Sequence, residues 1–386
     1  MAGYLLYGGL VPGAEGRLEN HGVAVTKGKI ALIEAGSKPP AGRLIDATGC
    51  YICPGFIDLH VHGGSGSDAL DGSPEAIRNM ASFHARFGTT GMLPTIATAP
   101  WERIIDALRA VATAAAHPTG GSRILGVHLE GPYLNPSFKG AQNEEFLRRP
   151  DPAELERLAE AAGGWLRLVT LAPELPGALP AVARLSSLGI VAAAGHSGAT
   201  FEDITSAIPY GLKHVTHTFN AMRPFHHREP GLPGAALALP GLSVEAIADG
   251  VHIHPAVLRT LWRLAPDRLT LVTDAVAPAG MPDGDYTFAG QKITVTRGEA
   301  RLPGGTLAGS TLTMDRAVKN MVESAGLTLF QAVALASTNP ARVLGLQHRK
   351  GSVKDGYDAD LVLMDRNLRP QMVMVEGEIV YTRGNV

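Results

Sequence analysis

His60 and His62 stand one residue apart in the run Pro54-Gly55-Phe56-Ile57-Asp58-Leu59-His60-Val61-His62-Gly63-Gly64. Side chains on a strand alternate faces, so on a strand both imidazoles point the same way. Two imidazoles on one face can hold a metal ion. The glycine pair behind them lets the chain turn sharply and leaves room for a substrate. A pair of hydrogen-bonded core histidines would use the same spacing. More residues of ligand type close other apolar runs: Glu130 after His128-Leu129, His196 after Ala192-Ala193-Ala194-Gly195, His217 after His214-Val215-Thr216, and Asp274 after Thr270-Leu271-Val272-Thr273. His, Glu and Asp are the residue types that bind Zn²⁺ or another divalent first-row metal. Taken singly, Glu130 could cap a helix and His196 could be a loop residue. As a set at strand ends they point to one centre. A carboxylate such as Asp274 beside an activated water can take its proton and later deliver it to a leaving amine. The chemistry this predicts is hydrolysis of an amide, ester or related bond.

A second group suits an anionic substrate. Asn220-Ala221-Met222-Arg223-Pro224 follows one candidate strand, then His226-His227-Arg228-Glu229, and Asp249-Gly250-Val251-His252 follows the next. Loop arginines and histidines can bind a phosphate, although Arg228 could equally pair with Glu229 or another acid to hold its loop. Gly304-Gly305-Thr306-Leu307-Ala308-Gly309-Ser310 could close over a site with backbone N–H groups, or serve as turns.

The elements that would bring these residues together follow from the pattern. Candidate strands cover residues 56–62, 91–95, 124–130, 166–172, 190–196, 214–217, 243–248 and 269–274. Helical stretches lie between most of them, such as 74–87, 101–116, 151–162, 179–188 and 255–264. Ser73 before Pro74 and Asp151 before Pro152 read as helix N-caps with proline at the first position. Eight strands alternating with helices predict a (β/α)8 TIM-like barrel, and a doubly wound sheet is the other arrangement that alternation permits. In a barrel, polar residues that close apolar strands converge on one rim. Residues 1–53 and 350–386 instead show short strands with glycine turns, such as Thr26-Lys27-Gly28-Lys29. Neither end is long enough to fold robustly alone, so the two termini are expected to build one small β-sandwich domain beside a barrel at 54–349. A β-hairpin insertion is expected near 285–305.

Composition narrows the function. The chain has 386 residues, 45% hydrophobic and 18% charged, with a formal net charge of -2. That supports a large core and gives no basic footprint for nucleic acid. The two cysteines, Cys50 and Cys53, exclude a disulfide scaffold and fit a reducing compartment. Their C-x-x-C spacing precedes Pro54-Gly55 and a strand rather than a helix, so they read as small buried hydrophobes. Residues 1–10 lack the pattern of a signal peptide. Apolar runs break well short of the ~18 residues of a membrane span. The expectation is a soluble cytoplasmic protein acting on a small molecule, with no nucleic-acid or membrane partner.

These segments together resemble the N-acetylglucosamine-6-phosphate deacetylases, a family of the amidohydrolase superfamily. The resemblance runs over nearly the whole chain. It rests on the Pro54–Gly63 run, His128-Leu129-Glu130-Gly131-Pro132, Gly195-His196-Ser197, the His214–Met222 run, His227-Arg228-Glu229-Pro230-Gly231, Asp249-Gly250-Val251-His252 and Thr273-Asp274-Ala275. The first motif marks the superfamily broadly, and the Asn220-Ala221-Met222 run and the later motifs are more specific. The resemblance implies a divalent metal, Zn or Fe, held by Glu130, His196 and His217, with a second ion at His60 and His62, so one or two ions per subunit. It implies Asp274 as general base and acid. Backbone at Asn220 and Ala221, with Arg228, would hold a phosphate, Arg228 reaching across a homodimer interface. His252 would touch the sugar or its phosphate, and backbone near Leu307 would line the sugar pocket. Gln142 occupies the place of a histidine often found near the acetyl carbonyl; its amide can still donate a hydrogen bond but cannot be cationic. The implied reaction removes the acetyl group from N-acetylglucosamine 6-phosphate. Another amino-sugar phosphate such as the galactosamine epimer, a cyclic-amide hydrolase and a non-catalytic barrel are the alternatives.

Overall fold

The fold is described from a computed structural model, for residues 3–12, 18–19, 22–33 and 42–384. Eight parallel strands form the central sheet: β1 (Phe56–Val61), β2 (Thr89–Ile96), β3 (Val127–Glu130), β4 (Leu166–Leu171), β5 (Val191–Ala194), β6 (Leu212–Val215), β7 (Ser243–Ile247) and β8 (Leu269–Val272). Each pairs with its neighbour in chain order. A helix follows every strand, beginning with Pro74–Ala85 after β1 and ending with Met314–Glu323 after β8. This is the expected (β/α)8 barrel. Strands covered by helices on one face and packed side chains on the other carry no solvent face. All eight positions of β2 are accordingly buried, its Thr89, Thr90 and Thr95 included. The helices show the complementary stripe: Trp101–Ala115 buries Ile104, Ile105, Leu108 and Val111. Both expected caps form. Ser73 Oγ accepts from Ala76 N at 3.1 Å and Asp151 Oδ1 from Ala153 N at 2.8 Å.

The barrel closes between β8 and β1. Asp274 N donates to His60 O and His62 N to Ala275 O, each at 2.8 Å. Asp58, fully buried on β1, reinforces the seam: it accepts from Thr273 Oγ1 at 2.6 Å and from the backbone N–H of His60 at 3.2 Å. Burial pushes its carboxyl up to about 7 against those hydrogen bonds. Asp58 therefore fixes the seam that carries His60, His62 and Asp274.

The terminal strands form two four-stranded sheets. One comprises Tyr4–Tyr7, Gly22–Thr26, Lys29–Ile33 and Arg43–Asp46; the other joins Tyr51–Pro54 to Leu361–Met364, Pro370–Val375 and Glu378–Thr382. Leu6, Val25, Ile30, Ile52, Leu361 and Met374 share one apolar cluster, so the sheets form a sandwich drawn from both termini. Lys27-Gly28 makes the expected hairpin turn between Gly22–Thr26 and Lys29–Ile33.

Three details depart from the sequence reading. The candidate strand at 124–130 is two pieces, Arg123–Ile124 and β3, which pair with β2 at different points. The insertion after β8 is a three-stranded meander, Gly284–Phe288, Gln291–Thr296 and Glu299–Arg301, rather than a hairpin. Its third strand has only three residues, too few to register as a pattern. Strands β5, β6 and β8 stop two residues before His196, His217 and Asp274. Among the described residues no helix is long and apolar enough to cross a membrane.

Candidate active site

His196, His217 and Asp274 each lie two residues beyond a strand, with φ of 48°, 26° and 49°. A non-glycine residue in this left-handed region costs about 1–3 kcal/mol and persists where its surroundings demand it. The shared turn brings the three side chains to the C-terminal rim, where β1 and β3 deliver His60, His62 and Glu130. Gly131 follows Glu130 with φ 88°, and a Cβ there would meet Thr98 Oγ1 at 2.3 Å, so the chain can leave β3 by this route only as glycine.

Two groups of metal-ligand type result: Glu130 with His196 and His217, and His60 with His62 and Asp274. In the first, Glu130 Oε1 lies 3.1 Å from His196 Nε2 and 3.0 Å from His217 Nε2, and the two nitrogens are 3.1 Å apart. In the second, Asp274 Oδ1 lies 3.3 Å from His60 Nε2 and 3.2 Å from His62 Nε2, and these nitrogens are 3.2 Å apart. Glu130 also joins the groups, with Oε1 3.4 Å from His60 Nε2 and Oε2 3.3 Å from His62 Nε2. All six residues are buried.

The donor set fits a divalent cation. The separations match the edge of a tetrahedron whose metal bonds are about 2.1 Å, roughly 3.4 Å. His62 Nδ1 faces the Thr95 carbonyl at 3.0 Å and His196 Nδ1 faces the Phe138 carbonyl at 3.1 Å. A carbonyl only accepts, so both rings carry a proton on Nδ1 and present Nε2 to the site, where a bound metal would stand in place of a second proton. Burial alone would depress the His60 and His62 imidazoles. The carboxylates of Asp274 and Glu130 overcome it and hold them at about 9 and about 10. Burial likewise works against the charged carboxylates, yet His60 and His196 hold Glu130 well below the usual range, and His60 and His62 hold Asp274 below it. The field at this point favours positive charge, which a metal ion would supply in place of protons.

Five of the six, all but His60, border a cavity of about 360 Å³, within the range of small-molecule sites. Gln142, Asn220, Ala221, His252 and Leu307 line it as well. His252 is held by Asp249, Nδ1 to Oδ2 at 2.6 Å. Gln142 is engaged on both sides: its Nε2 donates to Glu130 Oε2, and its Oε1 accepts from Thr98 N at 2.8 Å. Arg228 alone of the expected site residues lies elsewhere. It is exposed, its Nη1 is 2.8 Å from His227 Nε2, and Glu229 bonds instead with Arg223 at 3.3 Å.

Sequence reasoning missed several residues at the site. Phe288 and Arg301 reach the cavity from the meander, where Phe288 packs edge-on against His62 at 5.1 Å between centroids. Gln291 Nε2 donates to the Ala141 carbonyl at 2.7 Å and ties the meander to the Gln142 loop. Glu245 lies at the centre of β7, fully buried. A lone carboxylate within Val244-Glu245-Ala246-Ile247 was the signal that could have found it.

The amidohydrolase family model matches residues 51–380. The chain is 40% identical over 365 residues to the N-acetylgalactosamine-6-phosphate deacetylase of Escherichia coli O157:H7, covering 95% of this chain and 96% of the relative. It is 36% identical to the N-acetylglucosamine-6-phosphate deacetylase of Lysinibacillus sphaericus, covering 96% of this chain and 95% of that one. A solved mutant of N-acetyl-D-glucosamine-6-phosphate deacetylase from Mycobacterium smegmatis, in complex with N-acetyl-D-glucosamine-6-phosphate, superposes with a TM-score of 0.92 at 35% identity, over 99% of this chain and 100% of that one.

Proposed function

The chain belongs to the amidohydrolase family, whose metal-dependent hydrolases include the relatives above, and we propose that it removes the acetyl group from an N-acetylated amino-sugar 6-phosphate, giving the free amine and acetate. The observation that carries this reading is the position of Asp274. It borders the cavity while its Oδ1 lies within 3.3 Å of both His60 and His62. Held ionised, Asp274 accepts the proton of the attacking water and passes it to the departing nitrogen as the C–N bond breaks. Glu130, His196 and His217, with His60 and His62, would hold one or two divalent ions, Zn²⁺ or Fe²⁺, and such an ion would supply an activated water at neutral pH and polarise the acetyl carbonyl. Asn220, Ala221 and His252 line the part of the cavity that would take the phosphorylated sugar, and backbone near Leu307 lines its wall. Gln142 would orient the acetyl group beside Glu130.

Arg228, exposed and outside its own chain's cavity, would complete phosphate binding in the site of a second copy within a homodimer. The two free thiols, Cys50 and Cys53, suit a cytoplasmic setting.

The glucosamine and galactosamine substrates differ only in the configuration of one ring hydroxyl. N-acetylglucosamine 6-phosphate is the primary reading. The galactosamine relative, at 40% identity over nearly the whole chain, keeps the epimer as the second. Acetate release from both sugars at equal concentration decides between them. A higher kcat/KM on the glucosamine sugar supports the first, the reverse ranking supports the second, and turnover of neither contradicts both.

A further inference from the structure

We propose that Glu245 is a positioning residue that fixes one ligand in each of the two metal groups, through a single carboxylate oxygen. The inference rests on the metal-dependent reading of the site. Its residues are all on β6, β7 and β1 and the turn beyond β6. Glu245 Oε2 lies 3.1 Å from His60 Nδ1 and accepts from the backbone N–H of His217 at 3.0 Å. Its other oxygen, Oε1, lies 2.9 Å from His214 Nε2, and His214 Nδ1 lies 2.6 Å from Ser243 Oγ. The Glu245 carbonyl also accepts from Thr218 N at 3.0 Å. The carboxylate is fully buried, and among the described residues its side-chain partners are the His60 and His214 rings.

Each contact has a consequence for a ligand. A carboxylate facing His60 Nδ1 keeps the ring proton there, so Nε2 presents its lone pair toward His62 and Asp274. The bond to His217 N holds the chain in the left-handed turn, φ 26°, that places His217 Nε2 beside Glu130. His217 Nδ1 has no hydrogen-bond partner among the described residues. Its ring is therefore set by its backbone rather than by a partner on the ring, and Glu245 is what grips that backbone. His214, one face behind, holds the carboxylate from the opposite side. Glu245 touches neither the cavity nor the reacting atoms, so its effect is on the affinity and geometry of the ions.

The test uses the full-length protein dialysed against Zn²⁺ buffered over a range of free concentrations, with bound metal counted by elemental analysis. Glu245→Leu removes the carboxylate's contacts to His60, His217 and His214. Glu245→Gln keeps the shape and one acceptor oxygen, and loses the charge. The expected result is a loss of Zn²⁺ affinity of about 10- to 100-fold for Glu245→Leu and a smaller loss, on the order of 10-fold, for Glu245→Gln, with the thermal midpoint of each metal-free protein recorded alongside. A purely structural residue would lower that midpoint and leave the affinity of the folded protein unchanged. Should Glu245→Leu fail to fold, Glu245→Gln decides alone: affinity equal to wild type overturns the proposal, and weakened affinity supports it. Wild-type protein that binds no Zn²⁺ at any concentration contradicts the metal-dependent reading itself, which separates the two failures.

Discussion

Gln142 donates its side-chain amide to Oε2 of Glu130, while its own Oε1 is taken by the Thr98 backbone at 2.8 Å. The contact leaves Glu130 Oε1 to His196 and His217, 3.1 and 3.0 Å away. A residue expected to meet the substrate thus also orients a residue expected to bind metal. Removing the donor strands a buried carboxylate oxygen, at a cost of about 1–3 kcal/mol. Gln142→Leu is expected to lower kcat/KM by about 10- to 100-fold. It is also expected to weaken metal binding, which substrate contact alone would not do. Unchanged metal affinity would confine Gln142 to the substrate.

Asp274→Asn is expected to lower kcat by about 10²- to 10⁴-fold, the usual contribution of a positioned acid–base group. The ion at Glu130, His196 and His217 should remain, because Asp274 belongs to the other group. Near-normal turnover in that variant would remove Asp274 from the role assigned to it.

The two groups should separate on mutation. In the double variant His60→Asn, His62→Asn, the metal content should fall by the ion these residues hold while the ion at Glu130, His196 and His217 is retained. Metal content equal to wild type would mean that His60 and His62 hold no ion of their own. The count by elemental analysis is the measurement.

His84 predicts a defined acid sensitivity. It is buried, its Nε2 lies 2.9 Å from the Gly63 carbonyl, and burial pushes its imidazole down from 6.5 to about 4. Between those values the unfolded chain binds a proton at His84 and the folded chain does not, so stability falls as pH drops from 6.5 toward 4. The full effect is about 3 kcal/mol. His84→Gln cannot take that proton, and its stability should fall less over the same interval in denaturant titrations. Parallel losses in the two proteins would show that His84 titrates normally in the fold.

The barrel was legible because its strands are buried on both faces and its helices carry a polar side, a contrast that survives in sequence. The ligand residues were legible as polar ends to apolar runs. Their placement was less so. His196, His217 and Asp274 extend the run by two residues, and only the backbone shows that the strand has already ended and φ has turned positive. Glu245 was passed over because one charge inside Val244-Glu245-Ala246-Ile247 looks like an interruption of a strand, whereas its partners His60 and His214 come from distant parts of the chain. The three-residue strand Glu299–Arg301 is too short to print a period. The position of Arg228 outside the cavity could not be read from charge, which does not say which way a loop faces.

The central claim is that the two groups around Glu130 serve hydrolysis of an N-acetyl amino-sugar phosphate. The most direct measurement is acetate and free amine released from N-acetylglucosamine 6-phosphate by the purified protein, before and after a chelator strips its metal and again after Zn²⁺ or Fe²⁺ is restored. The account predicts one acetate per amine formed, loss of turnover on chelation and recovery with the ion. Turnover that persists without metal, or no acetate from this sugar or its galactosamine epimer with metal supplied, would contradict it.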